Sequence, residues 1–233
     1  MNDFTFLSPT RLIVGHNVED QTGEWIKKYG GHKVLVHHDS MYCKTSGLVD
    51  RIIEHIQAAG LETVELGGVV PNPHLDLVYK GIDLCRREQV DFLLAIGGGS
   101  VIDSTKAIAM GLKYDGDVWD LFAEDNSVPR GVETERCMPV GVVLTIAATG
   151  SECSNSCVIT KTDEQLKRFC DNDLHRPVFA IENPELTASL PRFQTACGVI
   201  DVMSHSMERY FSDEPSGNEL TDRMCEAIFH TCM

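Results

Sequence analysis

Short, largely apolar runs of β type alternate along this chain with stretches in which apolar positions recur every three or four residues. The run Lys33–His38 predicts a buried strand. Ser46–Ala59 follows with Leu48, Ile52, Ile53 and Ile56 on one face and Gly60 as its stop, so it predicts a helix. Glu62–Val70 predicts a second strand, broken by Pro71-Asn72-Pro73, and His74–Glu88 the next helix. Asp91–Ile96 reads as a third buried strand, turned by Gly97-Gly98-Gly99-Ser100 into a helix over Val101–Leu112. Val140–Thr145 and Pro177–Ile181 add two more strands. Strands that are apolar throughout and alternate with helices predict an α/β fold whose parallel sheet is covered on both faces.

The pattern changes after Glu182. Asn183-Pro184 and Leu190-Pro191 punctuate the chain, and two helical stretches follow, Phe193–Phe211 and Gly217–His230. A domain boundary is therefore expected near residue 185, with an α/β domain over 1–185 and a helical one over 186–233. The last helix has no Gly, Asn or Pro stop signal, and fewer than fifty residues make a thin second domain, so the expectation is a chain cut short at Met233.

Composition narrows the setting. At 233 residues, with 42% hydrophobic and 24% charged residues, the chain reads as a soluble globular protein. A net charge of −15 argues against nucleic acid and anionic membrane as partners, because both repel an acidic surface. The N-terminus lacks a secretory-signal pattern, and no apolar run approaches the roughly 18–20 residues that span a bilayer. Nine cysteines, an odd number with no Cys-x-x-Cys pair, fit free thiols in a reducing cytoplasm. Cys153 and Cys157 are a weak metal-binding pair at their spacing.

Four segments carry candidate chemistry. Gly97-Gly98-Gly99-Ser100-Val101-Ile102-Asp103 leaves a strand and opens a helix, where glycines let backbone N–H groups approach an anion and the helix N-terminus adds partial positive charge. A phosphate or pyrophosphate fits there, and the plain alternative is a tight turn. The segment is not Gly-x-Gly-x-x-Gly, and the ribose candidate precedes it: Asp39, after the first strand, otherwise a turn residue. Leu144–Glu152 places small residues and hydroxyls after another strand, as a cofactor cleft or a capped loop would. Lys167 is a further cleft candidate, or a solvated lysine. Asp201 and His205, four apart, share one helix face and make half of a divalent-metal site or a surface ion pair.

Taken together, these segments resemble the iron-dependent, metal-containing alcohol dehydrogenases, and their butanol-dehydrogenase-like branch in particular. The carriers are Gly97-Gly-Gly-Ser-x-x-Asp103, Thr145-x-x-x-Thr149-Gly-Ser-Glu152, Gly198-x-x-Asp201-x-x-x-His205-x-x-Glu208 and Pro71-Asn-Pro73, in order from about residue 5 to the end. The resemblance implies a dinucleotide-binding α/β domain followed by the beginning of an all-helical metal-binding domain, with the active site between them. It implies that Gly98, Gly99 and Ser100 hold a pyrophosphate and that Asp39 sits by the adenosine ribose. Asn72, Thr145, Thr149 and Lys167, with Asp103 and Ser151 from the same motifs, complete the cofactor set. Asp201 and His205 are the first two ligands of Fe2+ or Zn2+. A carboxylate at Asp39 accepts ribose hydroxyls and repels a 2′-phosphate, which favours NAD over NADP. The implied reaction is hydride transfer between NAD(P)H and a small aldehyde or primary alcohol, in the cytoplasm, with a homodimer as a family expectation.

The family places two more histidine ligands well downstream. Here only His230 lies beyond His205, in surroundings that do not match. Two protein ligands leave a metal mostly hydrated. The alternative reading is therefore an inactive, nucleotide-binding fragment. A metal-dependent lyase of the dehydroquinate synthase type ranks below both, because its metal-site wording differs.

Overall fold

Val34, Leu35 and Val36 are all fully buried, and they show how the sheet is built. Successive strand side chains point to opposite faces. Val34 and Val36 enter one apolar layer, with Val49, Ile52 and Ile56, while Leu35 enters the other, with Val78, Ile82, Ile102 and Ile108. Phe92, Leu94 and Ile96 join the first layer, and Leu93 and Ala95 the second. Both faces of these strands are thus core, which is why they read as unbroken apolar runs.

The computed structural model describes residues 7–39, 42–122, 137–211 and 219–233. Its elements are β1 (Arg11–Val14), α1 (Thr22–Lys28), β2 (Lys33–Asp39), α2 (Tyr42–Thr45), α3 (Leu48–Ala58), β3 (Glu62–Val69), α4 (Leu75–Glu88), β4 (Phe92–Gly97) and α5 (Gly99–Gly111). After these come β5 (Val140–Leu144), β6 (Ser156–Lys161), β7 (Leu166–Asp171), β8 (Phe179–Glu182), α6 (Arg192–Tyr210) and α7 (Glu219–Cys232), with short 3-10 turns between elements. Gly217, where the last helix was expected to start, lies outside the described residues.

One parallel sheet runs in the order β1-β8-β5-β4-β2-β3. The chain leaves β2 toward α3 on one face and leaves β4 toward α5 on the other. The crevice between the carboxyl ends of those neighbouring strands is a topological switch point, where open α/β sheets bind ligands. Asp39 ends β2 and Gly97 ends β4, so both fall at this place.

Three expectations need correction. The strand β1 and helix α1 lie in a segment for which no element was expected; at four and seven residues they are too short to show a period. The antiparallel hairpin β6–β7 was also missed. Its turn carries no Asn-Gly or Gly signal, and Gln165 takes the left-handed conformation, φ 54°, that glycine usually supplies. Helix α5 starts at Gly99, two residues before its apolar pattern does.

Among the described residues, only helices follow β8. Helices α6 and α7 pack on each other, with the Tyr210 ring 5.9 Å from that of Phe229, edge to face. Phe193, Phe211, Leu220 and Met224 stay largely exposed on them. No helix of the described residues is long and apolar enough to cross a membrane.

Candidate functional site

Helix α5 presents Gly99, Asp103 and Lys106 at spacings of four and three, which is one helix face. The loop after β5 runs along that face. A β-carbon added at Gly99 would lie 2.5 Å from Thr149 Oγ1, so only glycine lets the loop come this close. One turn on, Ser151 Oγ donates to Asp103 Oδ1 at 2.6 Å, and the Val158 N–H donates to Asp103 Oδ2 at 3.0 Å. The glycine motif and the Thr-Gly-Ser-Glu motif, 45 or more residues apart, are therefore the two sides of one laced structure.

Lys106 completes the lacing, and sequence reasoning missed it. Its side chain is fully buried, and its Nζ donates to the carbonyls of Ser151 at 2.6 Å, Ser154 at 2.9 Å and Ser156 at 2.9 Å. An ammonium has three N–H donors, and three carbonyls take them. Burial draws the Lys106 ammonium below its ordinary value and pushes the Asp103 carboxyl above its own; each charge, and the Ser151 hydroxyl at Asp103, opposes that shift. Its signal in the sequence is slight, because Asp103, Ser104 and Thr105 precede it; only the following Ala107-Ile108-Ala109-Met110 marks a place where a lysine is costly unless its charge is satisfied.

Asn72 and Lys167 meet at 2.8 Å, Lys167 Nζ donating to Asn72 Oδ1. Asn72 sits at φ 58°, a conformation that asparagine tolerates. The hairpin brings them together, because the Thr160 N–H donates to the Pro73 carbonyl at 2.9 Å and β7 carries Lys167.

Asp201 and His205 lie one turn apart on α6, with Oδ1 and Nε2 3.8 Å apart. Both are part-exposed and face the same cleft. Among the described residues no group of three or more His, Cys, Asp or Glu side chains is placed to hold a metal ion. The pair suits a divalent cation in donor type and falls short in number. Cys153 and Cys157 gather no such group either, and burial pushes the Cys157 thiol well above its ordinary value.

A cleft of about 610 Å3 collects Asn72, Gly99, Ser100, Asp103, Thr149, Ser151, Lys167, Asp201 and His205. Ser154, Ser156, Val158, Glu208 and Arg209 also line it. Three expected residues lie outside that lining. Gly98 is the N-cap of α5, which has no side-chain cap. Thr145 is buried at the end of β5, its N–H donating to the Gly97 carbonyl. Asp39 Oδ1 accepts the Cys43 N–H at 3.1 Å, and Cys43 Sγ reaches Thr145 Oγ1 at 4.0 Å. Asp39 ends β2, Gly98 follows β4 and Thr145 follows β5, so these three lie at the carboxyl ends of the strands around the switch point.

Residues 9–184 match the sequence model of the iron-containing alcohol dehydrogenases. The chain is 44% identical over 231 residues to the probable NADH-dependent butanol dehydrogenase 2 of Bacillus subtilis, covering 99% of this chain and 57% of that protein. It is 39% identical over 233 residues to NADH-dependent butanol dehydrogenase A of Clostridium acetobutylicum, covering 100% of this chain and 58% of that one. The crystal structure of NADH-dependent butanol dehydrogenase A from Thermotoga maritima superposes with a TM-score of 0.89 at 34% identity, covering 100% of this chain and 57% of that one. The chain thus spans under three-fifths of the length of these relatives.

Proposed function

The chain belongs to the iron-containing alcohol dehydrogenase family, and from that footing we propose that its cleft binds NAD(H) for hydride exchange with a small primary alcohol or aldehyde. The observation that carries this is the convergence on one cleft of the uncapped α5 N-terminus, the Thr149–Ser151 loop, the Asn72–Lys167 pair and the Asp201–His205 pair. The N–H groups of Gly98, Gly99 and Ser100 hold the pyrophosphate, assisted by the helix dipole. Asp39 accepts the adenosine ribose hydroxyls and disfavours a 2′-phosphate, so NAD is preferred to NADP. Thr145, Thr149, Ser151 and Lys167 line the rest of the cofactor path, and Asp103 fixes Ser151.

A divalent ion, Fe2+ or Zn2+, supplies Lewis acidity toward the substrate oxygen when bound. Asp201 and His205 are two donors where a metal centre takes three or four. The role derived for this chain's own residues is therefore to bind and orient the dinucleotide. We assign residues 1–185 to the dinucleotide-binding domain and 186–233 to the beginning of the helical metal-binding domain, since β8 is the last strand of the sheet and only helices follow it among the described residues. The open edge of β1, where Leu12 and Val14 are more than half exposed, is the surface proposed for a homodimer, read by sedimentation equilibrium.

The two-donor set favours one further reading, dinucleotide binding without turnover. Anaerobic Fe2+ or Zn2+ with butanal, followed through NADH absorbance, separates the two. Turnover lost in Asp201→Ala supports the dehydrogenase; NADH binding with no turnover supports the second reading. Failure to bind NADH overturns both.

A further inference from the structure

We propose that Lys106 is a positioning residue: it sets the affinity of the cleft for the dinucleotide by holding the loop 149–156 against α5. The inference rests on the dinucleotide reading above and assigns a role to a side chain that touches no cofactor.

Lys106 is fully buried, yet it lies beneath the cleft wall. Its three carbonyl acceptors come from Ser151, Ser154 and Ser156, and Ser151 Oγ and Ser154 Oγ lie within 3.2 Å of the same Nζ. Ser151, Ser154 and Ser156 all line the cleft. A single cation therefore fixes the backbone path of the segment whose outer surface meets the ligand.

Regular structure does not hold this loop, since residues 145–155 form no strand or helix. Its ends are tied by the Thr145 N–H on the Gly97 carbonyl and the Asn172 N–H on the Asn155 carbonyl. Between them, besides Lys106, the described anchors are the Ser151–Asp103 bond, the Arg176 guanidinium, which donates to the Cys153 carbonyl at 2.7 Å, and the packing of Gly198 on Ala147. Without the ammonium, the buried Ser151 and half-buried Ser154 carbonyls lose its donors and the Ser156 carbonyl keeps the Ser154 hydroxyl, at a cost that loop rearrangement relieves. A rearranged loop presents Thr149 and Ser151 in the wrong place, and binding geometry tolerates little displacement.

Lys106→Met keeps the buried stem and removes the charge. NADH affinity by isothermal titration and amide hydrogen exchange are measured on the full chain. The expected result is at least tenfold weaker NADH binding, with faster exchange confined to residues 149–158 and none added in β2 or β4. In Lys106→Ala, n-propylammonium, which matches the atoms removed, restores affinity, whereas tetramethylammonium does not. NADH affinity within twofold of the parent in Lys106→Met overturns the inference. So does faster exchange spread through β2 and β4, which would make Lys106 a general packing residue, and so does absence of ammonium rescue. If the parent chain binds no NADH, the dinucleotide reading has failed. The exchange pattern then decides whether Lys106 orders the loop: unchanged exchange at 149–158 overturns that part too.

Discussion

The α-carbon of Gly198 faces the carbonyl oxygen of Ala147 so closely that an added β-carbon would sit 2.5 Å from that oxygen. Helix α6 thus packs backbone to backbone on the loop after β5, and Asp201 and His205, one and two turns further along, are brought to the cleft. The obstacle is main chain, which cannot rotate aside as a side-chain tip would. Gly198→Ala should displace α6, at a cost of about 1–3 kcal/mol by analogy with overpacked cores. Hydrogen exchange in α6 should accelerate while that in β4 and α5 holds. Unaltered exchange in α6 would mean that Gly198 does not set its docking.

Asp39 ends β2 with its carboxylate turned to the Cys43 N–H. If Asp39 meets the ribose as proposed, removing it takes away a charge that repels a 2′-phosphate, so Asp39→Gly should lower the ratio of NADH to NADPH affinity by about tenfold for a single charge–charge term near 1.4 kcal/mol. Fluorescence titration with both cofactors reads the ratio. A ratio unchanged by the substitution places the ribose elsewhere.

Two donors among the described residues predict weak metal binding. Zn2+ titrated into the chain should not saturate at micromolar concentrations, since most of the ion's coordination sphere stays water. Asp201→Ala or His205→Ala should remove even that. Micromolar binding that survives either substitution would be incompatible with a centre built on this pair.

His37 gives the fold a pH dependence. It is fully buried, with Nδ1 bonded to the Leu66 carbonyl at 2.7 Å and Nε2 to Ser104 Oγ at 2.9 Å. Burial draws its pKa down to about 4. Between pH 4 and the ordinary 6.5 the unfolded chain therefore binds a proton that the folded chain refuses. The stabilisation is complete above pH 6.5 and is lost as pH falls toward 4, a change of about 3 kcal/mol for this one group. Burial brings His175 to about 4 as well, so it adds in the same direction. Urea midpoints at pH 7 and pH 4.5 should differ strongly in the parent and less in His37→Asn. An equal difference in both would remove His37 from the account.

Much of this architecture was readable in one dimension. Buried parallel strands such as Lys33–His38 and Asp91–Ile96 are apolar on both faces, so each announces itself without reference to any neighbour. The glycine turn after β4 and the Asp201–His205 spacing are likewise local, because backbone freedom and helix period are local properties. The hairpin β6–β7 was not legible, since its turn lacks a turn signature and its register depends on α5 and the Pro71–Pro73 segment beside it. Lys106 was not legible either, because the three carbonyls that accept its N–H groups come from a loop 45 to 50 residues away. Residue chemistry and period pointed to Gly99, Ser100, Thr149, Ser151, Lys167, Asp201 and His205, the family resemblance added Asn72, and Ser154, Ser156, Val158 and Arg209 of the cleft went unnamed. Which of them meet, and that one buried cation binds the loop between them, follows from long-range packing, in which donors and acceptors far apart in the chain satisfy one another.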